Sequence, residues 1–563
     1  MISVAADLAQ LPGVSRLLDR LDAEQRTAAL LPDGPALVIA PAGSGKTTTL
    51  VARLGVLLAR GVPAARIAVA TFNRDAALEL SSRIQARLTP LIPEASQIEV
   101  RTLHALARQI LLDAGEPVRL LSDRLPILRA LLRRALADHE ARADAGEAPE
   151  PLPDAATLDT AISAWKVEGR GSDATQRALI AAYQAMLAAR GMVDFDDLVV
   201  EAASRLESDP ALGLRWQRRF THLCVDEFQD VDAAQLRLVR LLAEPERNLF
   251  VVGDDDQTIY AWRLADVRRI LSFESLYPGT RRVHLATNYR CPTPVVAASR
   301  RLIEVNQERF AKRIRPADGR PEVDAVSAYP TTPPDWPDRL ATLAAREAEG
   351  GRTICFLART RAEVGPMLLA LTRAGVPHTT SVPAPLQAEP VRAMVDGART
   401  FPGHVAPFQA LLTLRAARGW RRSDAAEALG DDDHAALDAL LGWAVAYPTL
   451  DRFLEDEARA LERLEALRRP DSAVEVATVH GAKGREWQTV VVLGMEEERF
   501  PNRRALVGAE DPARALEEER RLAYVALTRA TMRLVLAYDP ARASRFLVET
   551  GLVPRGQPQA RSA

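Results

Sequence analysis

Residues 36–59, ALVIAPAGSGKTTTLVARLGVLLA, constrain the fold more than any other stretch of the chain. A short apolar run gives way to a Pro/Gly loop and then to apolar residues at helical spacing. That order predicts a buried strand, a loop and a helix in direct succession. A strand that feeds a helix in this way belongs to a parallel sheet, because parallel neighbours need a crossover connection. Further β-like runs follow at 67–72 (IAVATF), 221–227 (THLCVDE), 248–254 (NLFVVGD) and 281–287 (RRVHLAT). Between 111 and 215 they stop, and the pattern is helical, divided by the Pro-rich, acidic stretch GEAPEPLPDAA (146–156). They return at 352–359 (RTICFLAR), 474–480 (VEVATVH), 489–494 (TVVVLG) and 533–538 (RLVLAY), while 383–470 is mostly helical. The fold class is therefore α/β, with two parallel-sheet cores, each interrupted by a helical insertion. The first core takes 1–110 and 216–288 around an insertion at 111–215; the second takes 289–382 and 471–545 around one at 383–470. The polar end, 546–563, reads as a frayed tail.

Composition narrows the partners. At 563 residues the chain can bury more than one core. Lys+Arg 73 against Asp+Glu 75 leaves a formal charge of −2, so any nucleic acid has to be held in a locally basic cleft. Cys224, Cys291 and Cys355 are far apart and form no CxxC pair, which fits a reducing compartment and gives no zinc signature. The start shows no basic-then-apolar leader, and no run approaches the ~18 apolar residues of a membrane span. The expectation is a cytoplasmic protein with no membrane partner.

Four of the 73 basic residues are lysine, namely Lys46, Lys166, Lys312 and Lys483. A chain that writes arginine almost everywhere keeps lysine mainly where a planar fork will not serve. Lys46 and Lys483 lie in glycine-flanked motifs and are read first. Lys46 belongs to APAGSGKT (40–47), in which Ala40 replaces the first glycine of the usual GxxxxGK[ST] pattern. Glycines let the backbone wrap, so that N–H groups of Ala42, Gly43, Ser44 and Gly45 face phosphate oxygens where Lys46, Thr47 and Thr48 open a helix. Lys46 suits the β- and γ-phosphates, and Thr47 suits Mg²⁺. The competing reading is a glycine-rich turn with a surface lysine.

LCVDEFQD (223–230) then ends an apolar strand with Asp226 and Glu227. In P-loop ATPases the first acid there holds Mg²⁺ and the second carboxylate orients the attacking water. The pair of elements points to hydrolysis of ATP with Mg²⁺. VVGDDDQTIYAWR (251–263) adds Gln257, placed to touch water and γ-phosphate. Close behind it come Tyr260, Trp262 and Arg263, which suit base stacking and phosphate neutralisation. Core aromatics at a helix start are the alternative.

Taken in order, Gln25, AGSGKT, TFNRDAA, TLH, DFDDL, VDEFQD, VGDDDQTIYAWR, NYR, VHGAKGREW and EEERRLAYVALTRA resemble the UvrD/Rep group of superfamily 1 DNA helicases, over about residues 20–540. The resemblance implies two RecA-like domains with ATP between them, single-stranded DNA across their top, and translocation 3′ to 5′. It implies that Gln25 reads adenine, Tyr289 stacks on it, Glu486 takes the ribose hydroxyl, and Arg290 and Arg529 are arginine fingers. On the DNA path it places Phe72, Thr102, His104, Phe195, Tyr260, Trp262, Arg263, Thr478 and His480. Phe195 can join that path only if the first insertion folds back. For Arg529 the alternative is a helix-face arginine paired with acids such as Glu519.

The implied partners are single-stranded DNA and single/double-strand junctions, with a regulatory protein as a further expectation. The implied activity is an ATP-dependent DNA helicase acting in repair or replication restart. A motor or sensor subunit of a nuclease or phage-defence complex, and a nucleotide-gated scaffold, stay open as alternatives. The chain also departs from the family pattern. TFNRDAA (71–77) is one polar residue short before its basic position, Arg74, and GREW (484–487) replaces the usual GLEF. The helical segment at 383–470 is a compact version of the family's accessory subdomain, so weaker or partner-dependent autoinhibition is expected. Its candidate DNA contact is LRAARGWRRSD (414–424), where arginines surround Trp420.

Overall fold

In the computed structural model, which describes residues 14–144, 152–171, 173–321, 324–332, 335–420 and 431–554, strand β1 (Ala36–Ile39) is buried along its whole length. Its neighbours are β2 (Ile67–Thr71), β3 (Glu99–Thr102), β4 (His222–Val225), β5 (Leu249–Gly253) and β6 (Arg281–His284). The six run parallel in the order β3-β2-β4-β5-β1-β6. A parallel sheet has both faces covered by crossover helices, which is why the runs are continuous rather than alternating in hydrophobicity. The period of two survives in the packing. Leu37, Ile39, Leu223, Val225, Leu249 and Val251 face helices Leu103–Asp113, Phe195–Ser208 and Ala233–Ala243, while Val38, Ile67, Val69, Phe250 and Val252 face Ala23–Ala29 and Lys46–Ala59.

The first helical stretch divides in its packing. Leu103, Leu106, Leu198, Val199, Leu212 and Trp216 belong to the sheet's core. Only helices Leu125–Asp144, Ala155–Glu168 and Ala174–Arg190 build a core of their own, from Leu128, Leu158, Ile162, Leu179, Ile180, Tyr183 and Leu187. At roughly 1.5–3 kcal/mol per fully buried large apolar side chain, that is a small cluster for three helices.

The chain divides into two compact units. The first runs to Ala286 and includes Glu308–Arg313; the second takes Thr287–Gln307 and continues from Ile314. The return of 308–313 to the first unit carries no sequence signal, since the whole of 289–382 reads as the second core.

The second unit pairs β7 (Thr287–Asn288) with β8 (Arg315–Pro316). Its main sheet comprises β9 (Val326–Pro330), β10 (Ile354–Ala358), β11 (Thr379–Thr380), β12 (Val474–Thr478), β13 (Trp487–Val492) and β14 (Ala530–Tyr538). These are parallel in the order β11-β12-β10-β13-β14-β9. Helices Glu389–Ala398, Pro407–Ala417, Asp431–Ala444 and Leu450–Leu467 form a separate apolar cluster around Leu411, Leu437, Leu440 and Phe453. Within it Arg415 is buried, pairing with Asp438 at 2.7 Å and donating to the Trp420 carbonyl, so it is a structural residue rather than a free DNA contact. Arg418 lies 5.0 Å over the Trp420 ring; Arg421 and Arg422 lie outside the described residues.

The expectation of a frayed end from 546 onward is corrected as far as Pro554. Arg545–Glu549 is a helix, with Phe546 and Leu547 fully buried and Phe546 edge-on to Phe500. Those two apolar side chains anchor the segment; the rest of the tail lies outside the described residues. No described helix is long and apolar enough to cross a membrane.

A half-buried acid at the start of helix Arg361–Arg373 makes stability depend on pH. Glu363 accepts the Thr360 N–H at 3.0 Å, yet burial pushes its carboxyl up to about 7. A raised acid contributes stability below its unfolded pKa, near ~4.3, and loses it as pH rises through the folded value. Glu363→Gln keeps an acceptor oxygen and removes the buried charge. It should therefore raise Tm by about 2–8 °C at pH 8 and by much less at pH 5. Equal shifts in thermal melts at the two pH values would assign the effect elsewhere.

Candidate functional site

At the carboxyl edge of the first sheet, β4, β5 and β1 are consecutive, and strands stand about 4.8 Å apart. The loops after Val225, Gly253 and Ile39 must therefore share one crevice, the usual ligand position in such sheets. In the loop after β1, Gly43 and Gly45 take left-handed backbone, φ +72° and +81°. A Cβ on Gly45 would also meet Gln25 Nε2 at 2.6 Å, so glycine is required there twice over. Ala40, where a glycine is usual, still extends the sheet by donating to the Gly253 carbonyl at 2.8 Å, and a Cβ is tolerated. Gln25 is fixed by a capping box with Asp22, and its Nε2 donates to the Ser44 carbonyl at 2.9 Å. Ser44 Oγ is buried without a hydrogen-bond partner among the described residues. A buried hydroxyl left over in this way suits a loop built to receive a polar ligand.

Lys46 Nζ lies 2.7 Å from Glu227 Oε1, with both side chains largely buried, so the surface-lysine reading falls. Glu227 itself adopts left-handed backbone (φ 52°, ψ 42°), a strain of about 1–3 kcal/mol typical of functional positions. Asp226 Oδ1 accepts the Glu227 N–H at 3.0 Å. Burial, with the adjacent Glu227 adding to it, pushes Asp226 up to about 6 against the pull of Lys46.

From Glu227 a hydrogen-bonded chain continues across the sheet edge. Gln229 Nε2 donates to Glu227 Oε2 at 2.5 Å, the Asp254 N–H donates to Gln229 Oε1 at 3.0 Å, and Gln257 Nε2 donates to Asp254 Oδ2 at 2.6 Å. Gln229 is fully buried and has no exposed role. Sequence reading passed it over as an ordinary residue of VDEFQD, although a Gln beside two acids at a strand end is a bridging signal. It fits because position 253 is glycine: a Cβ there would meet Gln229 Oε1 at 2.7 Å.

The residues assigned to a strand path in this unit also converge. Phe72, Thr102, His104, Phe195, Trp262 and Arg263 line one cavity of about 890 Å³. Tyr260 stacks on Phe72 with ring centroids 4.8 Å apart and meets Trp262 edge-on at 6.2 Å. The Arg263 guanidinium lies 4.6 Å over the Trp262 ring. Trp262 is 52% exposed, so the core-aromatic reading fails for it, and Phe195 is 43% exposed. Phe195 meets His104 edge-on at 5.6 Å, which shows that the helical stretch does fold back onto the sheet edge. Burial holds His104 below its usual range, hence neutral. Thr102 spends its hydroxyl capping helix Leu103–Asp113, accepting from the Ala105 N–H at 3.1 Å. Arg74, despite the shortened motif before it, lines the same cavity together with Arg101 and Arg108, two basic residues that the motifs do not mark.

Phe195 is held by the residues on either side of it. Lys166 Nζ lies 2.7 Å from both Asp194 Oδ2 and Asp197 Oδ1, and the Tyr183 hydroxyl donates to Asp194 at 2.9 Å. Arg124 pairs with Asp196 at 2.8 Å and Asp159 at 2.6 Å. DFDDL is thus pinned by buried charge on both sides of its aromatic residue.

In the second unit, Arg290 Nε donates to Glu486 Oε2 at 2.6 Å and its NH1 donates to the Thr528 carbonyl at 3.3 Å. Arg529 is 1% exposed, donating to the carbonyls of Val525 (3.0 Å) and Arg485 (3.2 Å). The two arginines are therefore neighbours around Thr528, brought together by strand ends far apart in sequence. Glu519 is not the partner of Arg529: it takes Arg359 at 2.7 Å. Tyr289, beside Arg290, is 38% exposed. Thr478 ends β12, and His480 opens the short turn His480–Ala482. The departure at GREW is matched within the unit. Arg485 ion-pairs with Glu475, which also accepts Trp487 Nε1–H at 3.3 Å, so Arg and Trp replace Leu and Phe as a set.

A strained acid beside a glycine-rich loop and an aromatic-lined cavity thus share one edge of a parallel sheet of RecA-like type. Comparison with known proteins agrees. The family model described as the UvrD/REP helicase N-terminal domain matches residues 21–278, and the UvrD-like helicase C-terminal domain matches 432–540. ATP-dependent DNA helicase UvrD2 of Mycobacterium tuberculosis is 31% identical, over 96% of this chain and 82% of the relative. ATP-dependent DNA helicase PcrA of Leuconostoc citreum is 28% identical over 93% and 82%, and DNA helicase II of Escherichia coli 28% over 94% and 86%. The chain belongs to the UvrD/Rep helicase family, and as such is an ATP-hydrolysing helicase.

Proposed function

We propose that this protein is a DNA helicase that couples ATP hydrolysis to translocation 3′ to 5′ along single-stranded DNA and to separation of duplex, in DNA repair or replication restart. The observation that carries this reading is that one short segment, Asp254–Arg263, links the hydrogen-bonded chain from Glu227 to the aromatic-lined cavity. Gln257 terminates the hydrogen-bonded chain from Lys46, and Trp262 and Arg263 stand in the wall of the cavity. Five positions along the chain separate Gln257 from Trp262, so a change at the nucleotide has a short path to a stacked base.

In this reading Gln25 and Tyr289 hold adenine, Glu486 the ribose, and the loop Ala42–Thr48 the phosphates. Thr47 and Asp226 offer hard oxygen ligands of the kind Mg²⁺ prefers, and the orphaned Ser44 hydroxyl agrees with a filled cradle. Mg²⁺ bound there would neutralise phosphate charge. Glu227, held by Gln229 and Lys46, orients the attacking water, and Gln257 senses the γ-phosphate. Arg290 and Arg529 neutralise the charge that develops on the transferred group. Phe72, His104, Phe195, Tyr260, Trp262 and Arg263, with Thr102, Thr478 and His480, carry the strand by stacking and backbone contact, which tolerates any sequence.

Unwinding of 3′-tailed, 5′-tailed and blunt duplexes, with ATP omitted as control, tests the reading. Separation is expected for the 3′-tailed substrate and should need ATP. Preference for 5′ tails would overturn the direction. Stimulated ATPase without separation would make the chain a motor subunit instead. Trp262→Ala should weaken single-stranded DNA binding by about 5–150-fold, from a stacking loss of ~1–3 kcal/mol. Fluorescence anisotropy would check this, and unchanged affinity would remove Trp262 from the path.

A further inference from the structure

Asp254, Asp255 and Asp256 follow one another at the end of β5, and all three are fully buried. Three carboxylates out of water need cations within reach. Those cations come from residues 308–313, the stretch that returns to the first unit between two stretches of the second. Lys312 Nζ lies 2.6 Å from Asp254 Oδ1, 2.6 Å from Asp255 Oδ1 and 2.9 Å from Asp256 Oδ2. Arg309 holds Asp256 through two bonds, Nε at 2.9 Å and NH2 at 2.7 Å, and the Phe310 N–H donates to Asp255 Oδ2 at 2.8 Å. An ammonium has three donors and here meets three carboxylates, an arrangement the flat fork of arginine does not reproduce. That accounts for a lysine at this place in a chain of arginines.

The cluster meets the nucleotide chain at Asp254. One carboxylate oxygen takes Lys312, and the other accepts Gln257 Nε2 at 2.6 Å. With Oδ1 pinned, the carboxylate cannot turn, and Oδ2 has one place to hold the Gln257 amide. We propose that Lys312 is a positioning residue for ATP hydrolysis: through Asp254 it sets the amide of Gln257, with Arg309 holding the turn from below. The residues on either side of the strap, Gln307 and Ile314, belong to the second unit. This rests on the reading of Gln257 as γ-phosphate sensor. If the cluster did no more than neutralise buried charge, its loss would lower stability and leave the action of Gln257 untouched.

The test is ATP turnover, saturated with single-stranded DNA, in the full chain carrying Lys312→Met, Gln257→Ala or both. Lys312→Met is expected to lower kcat about 10²-fold, the scale of an ångström's misplacement, with the KM for ATP within about threefold of wild type. Because both residues act through one amide, the double variant should fall within about threefold of Gln257→Ala alone. Wild-type kcat in Lys312→Met, or losses that multiply in the double variant, would overturn the proposal. Should Lys312→Met fail to fold, Arg309→Gln leaves the ammonium in place and is read the same way. It should lose about tenfold in kcat, and nothing further in the Gln257→Ala background; multiplied losses would again overturn it. Wild-type turnover that ignores DNA would instead strike the helicase reading itself, and this proposal with it.

Discussion

Replacing Arg290 by alanine is expected to lower kcat for ATP hydrolysis by about 10³–10⁵-fold, the worth of an arginine finger. Phosphoryl transfer passes through a loose transition state whose charge is spread over equatorial oxygens, so a guanidinium aimed there counts far more at the barrier than in the bound ground state. ATP affinity should therefore change by less than about tenfold, because an interaction made only at the barrier appears in kcat. In the proposed reading Arg290 is the group so aimed. Its guanidinium is held by Glu486 at 2.6 Å and by the Thr528 carbonyl, partners that orient it without sealing it in. Steady-state ATPase together with titration of a fluorescent nucleotide separates the two effects. Full turnover in Arg290→Ala would mean that the finger is misassigned.

The second large effect is at Lys46. Lys46→Ala should reduce kcat by about 10²–10³-fold or more and weaken ATP binding as well, since in the proposed reading the ammonium meets phosphate both before and during transfer. It also removes a cation from beside Glu227, a strained, largely buried carboxylate next to Asp226. Lys46→Arg is the sharper experiment in a chain that so rarely uses lysine. Charge is kept, but the planar fork cannot reproduce a point charge at the base of a tight loop. Recovery of less than about a tenth of wild-type turnover is expected, by the same ATPase assay. Wild-type activity in Lys46→Arg would show that charge alone suffices.

Local pattern made much of this molecule legible. Strands such as Ala36–Ile39 and Leu249–Gly253 announced themselves because a doubly covered parallel sheet demands unbroken apolar runs. Part of the cavity wall was legible too, since Trp262 and Arg263 close a motif, VVGDDDQTIYAWR, that sets aromatics beside an arginine soon after a strand. What escaped was everything that depends on distant chain segments meeting. Lys312 and Asp254 are 58 positions apart, and nothing around Lys312 resembles a motif, yet it neutralises the turn that carries Gln257. Lys166, likewise unflanked by glycine, proved to be a buried clamp on Asp194 and Asp197. The scarcity of lysine points to both, although neither lies in a glycine-flanked motif. The end of the chain misled for the opposite reason. Its polar last residues hid the apolar pair Phe546 and Leu547, which anchor a helix.

The central claim is that nucleotide turnover in this chain is governed by a strand lying in the cavity that Phe72, Phe195 and Trp262 line. ATP hydrolysis by the wild-type protein, measured with and without saturating single-stranded DNA, tests it most directly. Turnover should be low alone and rise at least about tenfold with the strand, a change of ~1.4 kcal/mol at the barrier. A rate that stays flat as DNA is added would contradict it.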